Sequence, residues 1–461
     1  MKKLAIIGLD CAAPQLIFES FREELPNLRA LMDKGIWGPL RSCDPPITVP
    51  AWSCMTASRD PGQLGFYGFR NRRDHSYDAY QIADSRAVRS LRLWEILSHA
   101  GFQVIVHGVP QTYPVTKVNG SMVSCFLTPS TQSEYTYPPA LKAMVEQVAE
   151  GYVLDVDEFR TEDKRALLER VYEKTRKHFR VARYLITSGP WQFFMMVEMG
   201  VDRIHHGFWR YMDRAHRDYA RGHELEHAIR DYYRFVDREV GELIAALPSD
   251  CAVMVVSDHG AKAMAGGVCV NEWLIDQGYL RLKSYPAHPI AITQAEIDWP
   301  NTKAWGDGGY YARVFLNVRG REPQGLVAPD QYEAVRSELA RGLEAITDEA
   351  GRSIGTKALR PEELYREVNG VAPDLLVYFG DLNWRSVGSV GLKSVLTHEN
   401  DTGPDDANHD YEGIFILDER GSRPAVKHGR VDGLTLYDVA PTALTMLGLK
   451  PSPHMIGRSI L

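Results

Sequence analysis

Ser257-Asp258-His259-Gly260 follows a short apolar run and carries dense local chemistry. Two adjacent side chains can turn onto one ion where a strand opens into a loop. Aspartate offers a hard oxygen and histidine a borderline nitrogen, a mixture that suits zinc or manganese. A turn aspartate beside a satisfied histidine is the plainer alternative. Asp202 and His206 stand four apart. On a helical turn they share one face and can bind a single ion, while His205 points elsewhere. His409, in Asn408-His409-Asp410 just ahead of an apolar run, is a weaker signal alone. Thr48 follows Asp44-Pro45-Pro46-Ile47 and precedes Val49-Pro50. The prolines fix an extended approach, and Pro50 suits the start of a helix over 50–58. Thr48 then lies near a helix N-terminus, where backbone N–H groups and the dipole favour an anion. A hydroxyl coordinated there by a metal becomes an alkoxide nucleophile. A simple capping threonine is the other reading.

These residues need elements to bring them together. Apolar runs at 4–9, 103–109, 193–199, 252–257, 375–379 and 413–417 read as buried parallel strands. Helical patterns cover 26–34, 92–100, 162–188 and 214–246. The first begins with Pro26 and stops at Gly35, and the second stops at Gly101. Strands alternating with helices predict a parallel sheet covered on both faces, with the chemistry at the carboxyl ends of its strands. Asp10 and Asp258 each follow such a run, and Asp202 stands a few residues past another. The stretch 263–408 is richer in Gly, Pro and polar residues, with a strand near 312–318 and a helix near 329–346. It reads as an insertion forming a cap on a core built from 1–262 and 409–461.

The chain of 461 residues carries 53 Lys+Arg against 60 Asp+Glu, a net charge of −7. Such a balance argues against bulk nucleic-acid binding, including duplexes. The six dispersed cysteines form no C-x-x-C pair and read as free thiols in a reducing, cytoplasmic compartment. The N-terminal apolar run is too short for a signal peptide, and no segment has the length of a membrane span. Neither G-x-G-x-x-G nor a P-loop is present, so the common nucleotide-binding motifs are missing.

The ordered set Asp10, Thr48-x-Pro, Asp202-x-x-x-His206, Asp258-His259-Gly and His409 resembles the alkaline phosphatase superfamily. Within it the pattern is similar to the type I phosphodiesterase/nucleotide pyrophosphatase branch and its bacterial phosphohydrolase/phosphomutase relatives. The resemblance implies a three-layer α/β sandwich. It also implies two divalent ions, zinc first and manganese as the alternative. One would be held by Asp10, Thr48, Asp258 and His259, the other by Asp202, His206 and His409. Ions about 3.5–4 Å apart can clamp the two oxygens of an in-line displacement. Thr48 would form a covalent phosphothreonine on a small phosphate ester, a nucleotide among the candidates.

Relatives place an asparagine after the threonine loop, and Asn71 stands at the comparable place. The flanking Arg70, Arg72 and Arg73 depart from that pattern; they offer bidentate anion donors or form a solvated basic turn. Lys262, Trp305, Tyr310 and Arg385 are further substrate-binding candidates, each with a plain packing or surface alternative. The same site serves a phosphomonoesterase, phosphonate hydrolase or phosphomutase. A sulfatase fits less well, because the C/S-x-P-x-R pattern is missing its arginine at Trp52. A metal-binding module without catalysis is the remaining alternative, disfavoured by a full ligand set.

Overall fold

The computed structural model describes residues 2–420 and 428–461. Its centre is a ten-stranded sheet. Lys3–Leu9 lies in the middle, parallel to Cys251–Val256 on one side and to Phe193–Glu198 on the other. Val104–His107 and Gly120–Val123 continue the parallel run beyond Phe193–Glu198.

Successive residues of these strands point to opposite faces, and both faces are apolar. Ile7, Met196 and Val255 pack on one side, under Lys164–Thr187, Gly200–Met212 and Ala228–Ala246. Ile6, Met195 and Met254 pack on the other, under Thr48–Ala57, Leu93–His99 and Val439–Met446. The result is the three-layer sandwich that the resemblance implies.

Two expected parallel strands behave differently. Glu412–Asp418 enters the central sheet antiparallel to both neighbours, Cys251–Val256 and Ile36–Arg41. Ile36–Arg41 had no strand signal, since Gly38 and Pro39 interrupt its apolar pattern. Leu375–Tyr378 lies in a separate four-stranded antiparallel sheet with Ala304–Asp307, Ala312–Leu316 and Lys357–Leu359. That sheet has its own apolar cluster around Trp273, Val314 and Leu343. An apolar run of this length specifies a buried strand but not its sheet.

The helix expected from 214 starts at Ala228. The segment before it is built of turns, and Gly222 adopts φ of 75°, which a helix does not allow. The helix expected over 50–58 is Thr48–Ala57, so Thr48 is its first residue.

The excursion beyond the core leaves and returns through one ladder. Gly260–Ala263 pairs antiparallel with Ala407–Asp410, placing Ala261 opposite His409. A residue 150 positions downstream of His259 is thereby set beside it. Among the described residues no helix is long and apolar enough to cross a membrane.

Candidate metal centre and active site

Asp10 stands where Lys3–Leu9 ends. Its N–H donates to Glu198 O at 3.0 Å, so the ladder still fixes the backbone there. Cys11 then turns with φ of 64° and points its N–H at Asp258 Oδ1, 3.2 Å away. Gly8 lets the neighbouring helix close in: a Cβ there would sit 2.5 Å from Trp52 Cη2. That approach brings Trp52 Nε1 within 2.6 Å of Asp10 Oδ2, to which it donates.

Asp258 and His259 follow Cys251–Val256. The Ser42 hydroxyl donates to Asp258 O at 2.6 Å, and Ser257 Oγ donates to His259 O at 2.5 Å. His259 Nδ1 donates to Gly260 O at 3.1 Å, which places the ring proton on Nδ1 and leaves the Nε2 lone pair free. His259 Nε2 is 3.1 Å from Asp258 Oδ2, 3.3 Å from Thr48 Oγ1 and 3.8 Å from Asp10 Oδ1. Thr48 is buried at the N-terminus of its helix.

A second group forms beside the first. Asp202 and His206 project from one face of Gly200–Met212, with Asp202 Oδ1 3.2 Å from His206 Nε2. His409 Nε2 is 3.3 Å from His206 Nε2 and 3.6 Å from Asp202 Oδ1. The rings of His259 and His409 stack at 3.8 Å, so the two groups are contiguous. His205 turns away to Tyr233, as its place on the helix requires.

The donor chemistry fits divalent cations. Asp10, Asp258 and His259 offer one ligand atom each within a 4.8 Å circle, and so do Asp202, His206 and His409. Among the described residues, Asp10 Oδ1, Asp202 Oδ1 and Asp258 Oδ2 are buried without a hydrogen-bond partner. Buried carboxylate oxygens are usually paired, and these three belong to the two candidate ligand groups. The mixed carboxylate–imidazole set suits zinc or manganese.

Without cations the site is electrostatically tense. Burial, with the Asp202 charge added, pushes the Asp10 carboxyl well above its usual range. Burial and the Asp10 charge do the same to Asp258. Burial also opposes ionisation of Asp202, yet His206 and Arg203 outweigh it and hold that carboxyl well below. Burial pulls His259 down to about 4, so its imidazole stays neutral. For His206 burial is overcome by Asp405 and Asp202, which push it up to about 9.

Asp405, which the sequence reading did not single out, orients the second group. Its Oδ1 accepts from His206 Nδ1 at 2.7 Å, turning His206 Nε2 toward Asp202. His409 Nδ1 donates to Pro46 O at 2.8 Å and is oriented likewise. A carboxylate behind a metal-directed histidine fixes its tautomer and raises its basicity.

Thr48, Asp202 and His409 open into a cavity of about 530 Å³. Arg70, Arg160, Arg203, Arg313 and Arg385 line it, against the carboxylates of Asp155 and Asp202. Of these arginines only Arg70 and Arg385 were candidates from sequence. Arg203 pairs with Asp202 and, at 2.6 Å, with Asp155. Arg313 pairs with Asp307 at 3.2 Å. Tyr310 also lines the cavity, but its ring stacks on His409 at 4.1 Å and His206 at 5.0 Å.

Four candidates lie elsewhere. Arg72 is buried against Glu322 at 3.3 Å and rests over Trp305. Trp305 packs with Trp299 and Phe315 and lines a different cleft. Asn71 spends its amide inside a local turn, accepting from Tyr67 N–H at 2.7 Å and donating to Gly68 O at 2.8 Å. Lys262 pairs with Asp410 at 3.0 Å and donates to Asp381 O. Each is engaged by a neighbour, and none lines the cavity. Arg73 is exposed and pairs with Asp74 at 3.3 Å.

Comparison with known proteins reaches the same place. Human ectonucleotide pyrophosphatase/phosphodiesterase 5 has a TM-score of 0.56 and 14% identity, over 98% of this chain and 96% of that one. An inactive form of the murine protein, solved in complex with AMP, has a TM-score of 0.55 and 13% identity, over 98% and 97%. Phosphonoacetate hydrolase from Sinorhizobium meliloti 1021, solved with phosphonoformate, has a TM-score of 0.60 and 18% identity, over 96% and 95%. At these identities the likeness is one of fold. No curated protein sequence matches the chain. The family profile for type I phosphodiesterase / nucleotide pyrophosphatase matches residues 4–411, a span that takes in every ligand candidate from Asp10 to His409. The chain therefore belongs to the type I phosphodiesterase/nucleotide pyrophosphatase family of phosphoester hydrolases.

Proposed function

We propose that the chain hydrolyses a phosphodiester or pyrophosphate-type bond at a two-metal site through a covalent phosphothreonine on Thr48. The observation that carries this reading is the convergence of Thr48 Oγ1 with two carboxylate–histidine groups at the end of one cavity. Asp10, Thr48, Asp258 and His259 would hold one cation; Asp202, His206 and His409 would hold the other. When bound, two divalent cations supply Lewis acidity at phosphoryl oxygens and lower the pKa of coordinated hydroxyls.

The chain supplies position and field. Thr48 Oγ1 bonds to phosphorus as the ester oxygen departs, and the proton that the hydroxyl gives up ends on the departing oxygen. The N–H groups of the first turn of Thr48–Ala57 favour the negative charge that gathers there. Asp405 and Pro46 O hold the rings of His206 and His409 in one orientation, so these two rings are already positioned before the reaction. Water then adds to phosphorus, and its proton returns to Thr48 as the threonine oxygen leaves. The excursion at 263–408 acts as a cap, since Tyr310, Arg313 and Arg385 come from it to line the cavity. The AMP and phosphonoformate found with two structural neighbours support a small phosphorus-centred anion as substrate. The arginine lining favours phosphonate hydrolysis as the second reading. Six buried free thiols support a reducing compartment such as the cytoplasm.

Thr48→Ala tests the mechanism. Turnover is expected to fall on the order of 10³-fold or more, while metal analysis still finds two ions per chain. Full activity of Thr48→Ala on every ester would overturn the covalent route. A rate panel of aryl diester, monoester, phosphonate, sulfate ester and dinucleotide on the metal-loaded protein ranks the readings.

A further inference from the structure

Arg385 is in an unusual position. It is 4% exposed, yet its guanidinium makes a single hydrogen bond, from Nη1 to Thr402 Oγ1 at 3.4 Å. Its Nε is buried without a partner. The nearest carboxylates, Asp401 and Asp405, stay 3.7 and 3.8 Å away, beyond hydrogen-bond reach. A buried guanidinium with idle donors is costly unless an anion meets it.

Arg160 stands in the same corner. Its Nε reaches Asp405 Oδ2 at 3.1 Å and its Nη2 donates to Tyr310 Oη at 2.7 Å. Asp405 is thus shared: Oδ1 serves His206, and Oδ2 accepts from Arg160 and, at 3.4 Å, from the Tyr310 hydroxyl, with Arg385 farther off. Both arginines and Thr402 line the reaction cavity. The corner lies directly behind Tyr310, whose hydroxyl is 3.2 Å from His206 Nε2. A group bound there would sit beside the reacting phosphorus, on the same molecule.

We propose that Arg385, Arg160 and Thr402 form a subsite for a second anionic group on the substrate. The preferred substrate is then a small phosphate ester or phosphonate that carries a further carboxylate or phosphoryl group. A monoanionic diester with neutral substituents would leave Arg385 unmatched. Planar guanidinium groups take either anion bidentately, so carboxylate and phosphoryl are two forms of one chemistry. The inference deepens the hydrolase reading and rests on it for where phosphorus sits.

The test is calorimetric binding of unreactive ligands to the metal-loaded full chain. Phosphonopropionate is compared with propylphosphonate, and propylene bisphosphonate is added to tell the two anion forms apart. The doubly anionic ligands are expected to bind at least about tenfold tighter than propylphosphonate, as one added charge-assisted contact implies. In Arg385→Gln that advantage falls to near parity, and Arg385→Lys keeps part of it. Propylphosphonate affinity and metal content confirm that each variant is folded. Equal binding of all three ligands by the wild type overturns the subsite, and so does an advantage that survives Arg385→Gln combined with Arg160→Gln. Turnover is read separately. A ligand preference without hydrolysis of any ester keeps the subsite and sinks the hydrolase reading; hydrolysis without preference does the reverse.

Discussion

Asp405 shows how much depends on a single carboxylate outside the ligand groups. It gives His206 its tautomer and direction through a 2.7 Å hydrogen bond. Asp405→Asn keeps the shape and removes the charge. Affinity at the Asp202/His206/His409 group is expected to drop about 10–100-fold, the usual cost of losing such a partner. Competition with a chromophoric chelator measures it, and the Asp10/Asp258/His259 group is expected to change little. The candidate ligand groups were legible in the sequence because metal-type residues recur just past apolar runs. Asp405 was not, because one acid within a polar loop has no spacing that marks it. The burial of Arg72 was hidden for a related reason: its partner Glu322 is 250 residues away, and local sequence does not reveal such a pairing. Arg385 lines the cavity, but its idle donors are visible only in three dimensions.

At the scale of elements, Gly8 lets the central strand and the helix Thr48–Ala57 approach closely. A methyl group there meets Trp52 Cη2 at 2.5 Å, and the indole has no room to retreat without leaving Asp10. Gly8→Ala is expected to cost about 1–3 kcal/mol, as overpacking typically does. Urea unfolding checks the loss, and a parallel fall in metal affinity would show that Trp52 had moved. Strand existence was readable from apolar runs, and so was the covering of both faces. Sheet membership was not, as Leu375–Tyr378 shows: pairing depends on partners distant in sequence. The start of Ala228–Ala246 was also hidden, because the polar turns before it imitate a charged helical face.

For the whole molecule, two sources of stability depend on solution conditions. The first is the proposed cation binding. The folded chain gathers the buried carboxylates of Asp10, Asp202 and Asp258, whereas the unfolded chain has no such site. Chelation is expected to lower the unfolding temperature and added zinc to restore it. Ions at 1,000 times their dissociation constant would contribute about 4 kcal/mol per site. Differential scanning calorimetry with and without chelator decides this.

The second source is a buried histidine pair away from the cavity. His107 and His178 face each other at 4.0 Å, near the Lys174–Glu198 ion pair. Burial and the Lys174 charge pull His107 down to about 3, and burial lowers His178 as well. Both rings are therefore neutral when folded and take up protons on unfolding. The His107 contribution is fully present above about pH 6.5 and is lost as pH falls toward 3. It falls by about 1.4 kcal/mol per pH unit within that window. His107→Gln is expected to flatten the decline between pH 7 and 5 by about 2 kcal/mol. Urea titrations of both proteins at the two pH values measure it.

The two oxygens of Asp405 face different tenants, a metal-directed imidazole on one side and the paired guanidiniums on the other. Filling either side redistributes the charge that the other side feels. With the proposed cation and the proposed anion both bound, the two would be heterotropic ligands joined through one carboxylate. Whatever factor the cation adds to anion affinity, the anion must add to cation affinity. An anion-starved chain would then give up its metal more readily than a working one.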